Sequence, residues 1–176
     1  MKNLKEELNI IINNTEIFDI HTHLFPSSFK THNLSGIGEV LNYHYLIAEL
    51  LTSTNITPKA FYHLNNKDRA KKIWDELFIK QTPVSEACKG VLTILSSFEI
   101  DYSSKSFDQI NTEYLELNLS DQDILNRSKI SNLVMTNNPF DLEEWKLFEK
   151  KDWNSDVYFA SLRLDDILLE PSKCVQ

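Results

Sequence analysis

The chain of 176 residues has a mass of 20.5 kDa, the size of one ordinary domain or of part of a larger one. Apolar residues at 41% and aromatic residues at 11% are typical of a globular protein and exclude a disordered chain. The 18 Lys and Arg residues against 26 Asp and Glu residues give a net charge of −8, which argues against nucleic acid or an anionic membrane as the main partner. No apolar stretch approaches the roughly 20 residues that span a bilayer, so we predict a soluble, cytoplasmic protein.

Short β-like segments alternate with helices along the chain. A helix over 1–14 precedes a first strand over 16–24, and helices are then predicted over 35–51, over 68–80, from Thr82-Pro83 to Phe98, over 107–117 and over 121–127. A second strand over 130–136, a helix from Asp141 through Lys150 and a third strand over 156–164 follow. Strands that alternate with helices imply an α/β fold, with a parallel sheet and helices packed outside it.

The segment Asp19-Ile20-His21-Thr22-His23 lies at the end of the first predicted strand. Side chains alternate along a strand, so His21 and His23 share a face at a spacing of about 6.6 Å, which two imidazoles can close by leaning toward one divalent ion. The C-terminal ends of strands are also where parallel α/β folds build their sites. The alternative is two polar residues that face solvent, because a catalytic metal site needs at least one further protein ligand.

Tyr43-His44-Tyr45 lies within the helix predicted over 35–51. His44 falls on the apolar stripe of that helix, so its ring is predicted to point inward, and Tyr45 could bring a phenol to the same cavity. A core histidine that is hydrogen-bonded to a neighbour is the alternative.

Polar residues also follow the second and third predicted strands. Thr136 and Asn137 could donate hydrogen bonds to a ligand, although NNP is equally good turn material. Arg163 follows an apolar run, and a carboxylate ligand is a natural partner for an arginine at the end of a strand. A salt bridge to Asp165 or Asp166 is the alternative.

Five segments of the chain together carry a family resemblance. They are DIHTHLFP at 19–26, LNYHYLIAEL at 41–50, PVSEACKGV at 83–91, VMTNNPFD at 134–141 and FASLRLD at 159–165. In this order they resemble the uronate (glucuronate) isomerase family of the amidohydrolase superfamily, over essentially the whole chain. The long helical insertion with its His-Tyr pair is what distinguishes the isomerases from the hydrolases of that superfamily.

The resemblance implies the N-terminal part of a (β/α)8 barrel, as a single domain over 1–176 with a helical insertion over 35–128 between the first two strands. His21 and His23 would hold a divalent metal, for which zinc is favoured, in a ligand set that this chain leaves incomplete. His44 and Tyr45 would be catalytic and would line the sugar site with Arg163, which would reach the substrate. The reaction would convert D-glucuronate, a small uronate sugar, to D-fructuronate through an enediol; association into a homo-oligomer is left open.

The length of the chain bears on this interpretation. A (β/α)8 barrel needs at least about 200 residues, and only three strands are counted here, so the chain is expected to be an N-terminal fragment with little activity of its own. The arginine motif Arg163-Leu164-Asp165 also lacks the proline that is usual in the family. Two alternatives are a metal-dependent hydrolase of the same superfamily and a non-catalytic, truncated remnant that folds or associates without turnover.

Overall fold

The computed structural model of the protein describes residues 3–32 and 36–173. The chain divides into two compact units, one that combines Met1–Asn33 with Ser120–Gln176 and one that consists of Leu34–Leu119. The second unit contains most of the predicted helical insertion, whereas the helix before the second strand belongs to the first unit. No helix that the described residues form is both long and apolar enough to cross a membrane.

The secondary structure is mixed α/β. In chain order the elements are α1 (Leu4–Asn14), β1 (Ile17–Thr22), a 3-10 helix (Ser27–His32), α2 (Ile37–Leu41), α3 (His44–Ser53), α4 (Pro58–Tyr62), α5 (Asn66–Ile73), a π-helix (Trp74–Ile79), α6 (Glu86–Ser97), α7 (Phe107–Glu116), α8 (Asp121–Ser128), β2 (Ile130–Met135), α9 (Leu142–Glu149), β3 (Tyr158–Ala160), α10 (Asp165–Leu169) and a second 3-10 helix (Pro171–Lys173).

The three strands of the described residues form one parallel sheet in the order β1-β2-β3. Asp19 lies opposite Leu133 and Thr22 opposite Met135, with an irregularity between these two pairs, and Met135 in turn lies opposite Ala160. The parallel sheet that the alternating pattern predicts is therefore confirmed. The third strand is much shorter than the predicted range 156–164, because pairing ends at Ala160.

The core of the first unit covers one face of this sheet. Its buried side chains are Phe25, Phe29, Leu125, Leu133, Met135 and Tyr158. The other face carries Phe18 and Phe159, which are exposed and whose ring centroids lie 5.7 Å apart, and Ile20, which is 77% exposed. The predicted first helix is confirmed as α1, but its apolar side chains are all exposed.

The helix α8 leads directly into β2. Ser120 and Asp123 form a capping box at its start, in which each side chain accepts a hydrogen bond from the backbone N–H of the other residue. At its end Lys129 has a left-handed backbone with φ of 56°, and its carbonyl oxygen accepts a hydrogen bond from the Ile17 N–H at 2.8 Å. Because β2 begins at the next residue, Ile130, the helix and the strand are joined by a single left-handed residue.

The core of the second unit is built from the inner faces of its helices. Its most buried large side chains are Ile37, Leu41, Leu46, Leu50, Phe61, Ile73, Trp74, Leu77, Leu95, Phe107 and Ile110. Trp74 also donates from Nε1 to the carbonyl oxygen of Lys105 at 3.0 Å, which satisfies the polar atom of a buried indole.

The single helix predicted over 35–51 is wrong, since α2 ends at Leu41 and α3 begins at His44. Asn42 stabilises the break, because its side-chain nitrogen donates to the carbonyl oxygens of Gly38 at 2.9 Å and of Asn66 at 2.8 Å. After the break the buried residues of α3 are Leu46, Ile47 and Leu50.

The helix start predicted at Thr82-Pro83 is also wrong, because α6 begins at Glu86 and Ser85 is its N-cap. Ser85 Oγ accepts from the Cys88 N–H at 3.1 Å and donates to the Glu49 carboxylate at 2.6 Å. Val84, which precedes the helix, is 67% exposed, whereas Cys88, Val91 and Leu95 on its inner face are buried.

Candidate functional site

A cavity of about 380 Å³ lies at the carboxyl ends of the three strands. Its lining residues come from β1 and from the segments that follow each strand, and they are His21, His23, Thr136, Asn137, Ser161, Arg163 and Asp165. In a parallel sheet the carboxyl ends of all strands meet at one edge, which is why residues so distant in sequence come together here.

The cavity brings His21 and His23 together. Their ring centroids are 5.8 Å apart and their ring planes are nearly perpendicular. Asp19, two residues earlier on β1, uses its carboxylate to accept a hydrogen bond from the His21 backbone N–H at 3.0 Å. Two imidazoles on one cavity suit two positions of a tetrahedral zinc site. Within residues 3–32 and 36–173, however, no three His, Cys, Asp or Glu side chains come close enough together to hold a metal ion.

Thr136 connects the end of β2 to the histidine pair. Its backbone N–H and its hydroxyl both donate to the carbonyl oxygen of Thr22, each at 3.0 Å. Its Oγ1 also lies 3.1 Å from His23 Nδ1, within hydrogen-bonding distance. The hydroxyl predicted as a donor to a ligand is thus engaged with β1 and with His23.

Asn137 is the one buried polar residue among the described residues, with 2% of its surface exposed. Its Oδ1 accepts from the Ser161 N–H at 2.7 Å, and its Nδ2 donates to the Ser161 carbonyl oxygen at 3.2 Å. The Asn137 amide, predicted as a donor to a ligand, is therefore already used in hydrogen bonds to the backbone of Ser161. No sequence signal identifies Ser161, because its role depends on this contact across the sheet.

Arg163 lines the cavity from the segment between β3 and α10, not from within a strand as the sequence predicts. Its Nε donates to Asp165 Oδ2 at 2.7 Å, and both side chains are more than half exposed. The salt bridge to Asp165, which the sequence left as an alternative, is therefore present. This pairing raises the pKa of the guanidinium, which stays charged.

His44 and Tyr45 lie in the second unit, in the first turn of α3. The prediction that His44 points into the core is wrong, because the helix break after Leu41 leaves His44 exposed and Tyr45 61% exposed. The His44 ring clusters with two phenols that also contact each other, with centroid distances of 4.3 Å to Tyr43 and 4.2 Å to Tyr45. Partial burial, and then the neighbouring Tyr45, raise the pKa of the Tyr43 phenol. That His44 and Tyr45 reach the site of His21 stays a prediction.

Among solved structures, the crystal structure of a uronate isomerase from Bacillus halodurans matches this chain with a TM-score of 0.87 and 38% sequence identity. The resemblance to a uronate isomerase is confirmed. The match covers 97% of this chain, so both units contribute to it, and this chain spans 41% of the length of that uronate isomerase. A scan against protein-family models gives no match, and a search of the curated proteins gives none either.

Proposed function

We propose that this chain carries the metal-binding and carboxylate-binding part of a uronate isomerase, which interconverts D-glucuronate and D-fructuronate. The observation that carries the proposal is the match to the Bacillus halodurans uronate isomerase, which has 38% identity and extends over 97% of this chain. At this identity, and with a TM-score of 0.87, the two chains share more than a general α/β architecture.

The reaction needs groups that transfer protons, a group that polarises the carbonyl oxygen and a partner for the substrate carboxylate. The proton on C2 of the aldose must be removed and a proton delivered to C1, and the hydroxyl proton on O2 must be lost while O1 gains one, so that the C1 carbonyl becomes a hydroxyl and the C2 hydroxyl becomes a carbonyl. His21 and His23 would hold a divalent ion, with zinc favoured, which when bound polarises the carbonyl oxygen of the substrate. His44 and Tyr45 are the proposed residues that exchange protons with the sugar, and this role requires them to approach the cavity.

Arg163 is the proposed partner of the substrate carboxylate. Asp165 contacts its Nε, and the guanidinium has further N–H groups on its two Nη atoms that suit a bidentate carboxylate. Asp165 would thus orient the arginine while the substrate binds at the other edge of the guanidinium. The carboxylate distinguishes a uronate from the corresponding neutral sugar, so this contact would determine substrate class.

The architecture that we propose for the whole enzyme is a (β/α)8 barrel, of which β1, β2 and β3 would be the first three strands. In such a barrel one sheet face packs on helices and the other faces the barrel interior. Phe18, Ile20 and Phe159 are exposed on the face opposite the helices, which is the face that the barrel interior would cover.

Selective binding of the sugar to the chain tests the proposed carboxylate site. Backbone amide NMR signals of the ¹⁵N-labelled chain would be followed during titration with D-glucuronate and, in parallel, with D-glucose, which lacks the carboxylate. We expect D-glucuronate to shift signals around Arg163 and Ser161 and D-glucose to leave them in place. Arg163→Gln should abolish the shifts, whereas Arg127→Gln, at an exposed arginine on α8, should not. Equal responses to both sugars would contradict the proposal.

A further inference from the structure

The Thr136 hydroxyl lies between two groups that belong to the end of β1. On one side is the carbonyl oxygen of Thr22 at 3.0 Å, and on the other is His23 Nδ1 at 3.1 Å. Both contacts have hydrogen-bonding distances, and Thr136 is 113 residues from His23 in the chain. The pairing of β1 with β2, which sets Thr22 opposite Met135, brings the hydroxyl to this position.

The number of protons on these groups determines the direction of each bond. A carbonyl oxygen can only accept, so the single hydroxyl proton of Thr136 is used in the bond to Thr22. The hydroxyl oxygen can then only accept from the imidazole, which requires a proton on His23 Nδ1. With the proton on Nε2 instead, Thr136 would have to donate to Nδ1 and give up its hydroxyl bond to Thr22, so one hydrogen bond of the pair would be lost.

We propose that Thr136 is a positioning residue that holds neutral His23 in the tautomer with its proton on Nδ1. The lone pair of the ring is then on Nε2, which is the nitrogen that would bind a divalent ion. Metal-binding histidines commonly donate their other N–H to a carboxylate, a carbonyl or a water. Here a threonine hydroxyl takes that role, and it can do so because its own proton is directed to the backbone of β1.

His21 provides an internal comparison. Within the described part of the chain its ring contacts the His23 ring, but no hydrogen bond to either of its ring nitrogens is present. The structure therefore imposes a tautomer on His23 through Thr136 and places no corresponding group on His21. The two histidines should differ in tautomer population although they are separated by one residue.

The experiment is a measurement of imidazole ¹⁵N chemical shifts in the folded, metal-free chain. The pH would be roughly two units above the ordinary His pKa of about 6.5. We expect the His23 spectrum to show a protonated Nδ1 and an unprotonated Nε2. Thr136→Val, which removes the acceptor and keeps the side-chain shape, should return His23 to a mixture of tautomers, and Thr136→Ser should retain the wild-type pattern. His21 should be unchanged in all three proteins.

A second readout is the affinity of the same proteins for Zn²⁺. Because loss of such a supporting contact commonly weakens metal binding by about 10- to 100-fold, Thr136→Val should fall in that range and Thr136→Ser should bind like the wild type. A wild-type His23 protonated on Nε2 would overturn the inference, even if the Val variant did not fold. An unchanged tautomer in a folded Val variant would also overturn it.

The tautomer of His23 follows from its contact with Thr136 alone. Only the role of the ion that His23 would bind rests on the proposed function. The two can fail separately. A wrong tautomer would leave the selective binding of D-glucuronate unaffected, whereas a chain that binds no uronate would still show the Nδ1-protonated His23.

Discussion

Asn137 holds the backbone of Ser161 from both sides. Its Oδ1 accepts from the Ser161 N–H at 2.7 Å while its Nδ2 donates to the Ser161 carbonyl oxygen at 3.2 Å. The Asn137 side chain thereby extends the hydrogen bonding between β2 and β3 by one residue beyond Met135 and Ala160, where the strand pairing ends. The segment that leads to Arg163 is thus fixed at its first residue by a buried amide.

Removal of this amide should destabilise the first unit. Asn137→Ala leaves the N–H and the carbonyl of the half-buried Ser161 without their buried amide partner, and we expect a loss of about 1–3 kcal/mol in the free energy of unfolding. Urea denaturation followed by circular dichroism measures the change. Asn126→Ala, at an exposed position on α8, is the matched control and should change stability by less than about 0.5 kcal/mol. Equal effects of the two substitutions would show that the hydrogen bonds between Asn137 and the Ser161 backbone contribute nothing to stability.

The substitution Tyr158→Phe should make the folded protein more stable than the wild type at high pH. The residue is 4% exposed and its hydroxyl has no hydrogen-bond partner among the described residues. Burial, with a smaller effect from the Asp121 carboxylate, raises the pKa of this phenol from 10.0 to about 12. The folded state therefore keeps a proton that the unfolded chain releases, so stability is complete below pH 10 and decreases as the pH rises from 10 to about 12.

The measurement for Tyr158 compares the pH dependence of the free energy of unfolding in the wild type and in Tyr158→Phe. The difference between them should grow by roughly 2–3 kcal/mol between pH 10 and pH 12, in favour of the variant. Near neutral pH, Tyr158→Phe should be neutral or stabilising, because it removes an unpaired buried hydroxyl. Tyr62→Phe, at an exposed tyrosine, should follow the wild type at every pH. A constant difference between pH 10 and pH 12 would argue against the raised pKa of Tyr158.

Metal binding should depend on both histidines of the cavity. Because the described residues bring two imidazole ligands to the cavity, the loss of either removes half of that contribution, so His21→Ala and His23→Ala should each weaken Zn²⁺ binding roughly tenfold or more. Isothermal titration calorimetry measures the affinity. His63→Ala is the control, since His63 lies in the second unit and its Nδ1 is hydrogen-bonded to the carbonyl oxygen of Lys59. A parallel loss in His63→Ala would point to nonspecific binding.

The 176-residue chain by itself should have little or no uronate isomerase activity. The described residues offer no third metal ligand beside His21 and His23, and loss of a proton-transfer group commonly costs a factor of about 10²–10⁴. The assay incubates the purified chain with D-glucuronate and divalent metal and follows ketose formation. The Bacillus halodurans uronate isomerase serves as the positive control. Turnover within about tenfold of that enzyme would show that these residues contain a complete site, because the expected loss is at least an order larger.

The elements that sequence patterns predict best are those with local signals. Ser120 and Asp123 mark the start of α8, and Asp141 is the N-cap of α9, because in each case the cap and the N–H groups that it binds are within a few residues. The run ISNLVMT becomes β2 because a continuous apolar segment bounded by turn residues suits a strand buried between two neighbours. The alternating order of these elements then suffices to predict a parallel sheet.

The predictions that are wrong concern features that depend on contacts between residues far apart in the sequence. The apolar stripe through His44 continues in register across Asn42, but a bond from Asn42 to Asn66 helps to end α2 there. Ser85 caps α6 ahead of Thr82 partly because its hydroxyl reaches Glu49, a residue 36 positions away. In the candidate site, the sequence identifies His23 and Thr136 separately. Their contact depends on strand register, which no local pattern specifies.

The single left-handed residue between α8 and β2 limits how this chain can vary in length. With no loop after Lys129, an inserted or deleted residue at Ile130 cannot be absorbed before the strand begins. Side chains alternate along a strand, so a shift of one residue would exchange the two faces of β2, turning Leu133 and Met135 out of the core and carrying Thr136 away from His23. Related sequences that keep this histidine contact should therefore keep the spacing between the end of α8 and Thr136 unchanged, while loops elsewhere are freer to lengthen.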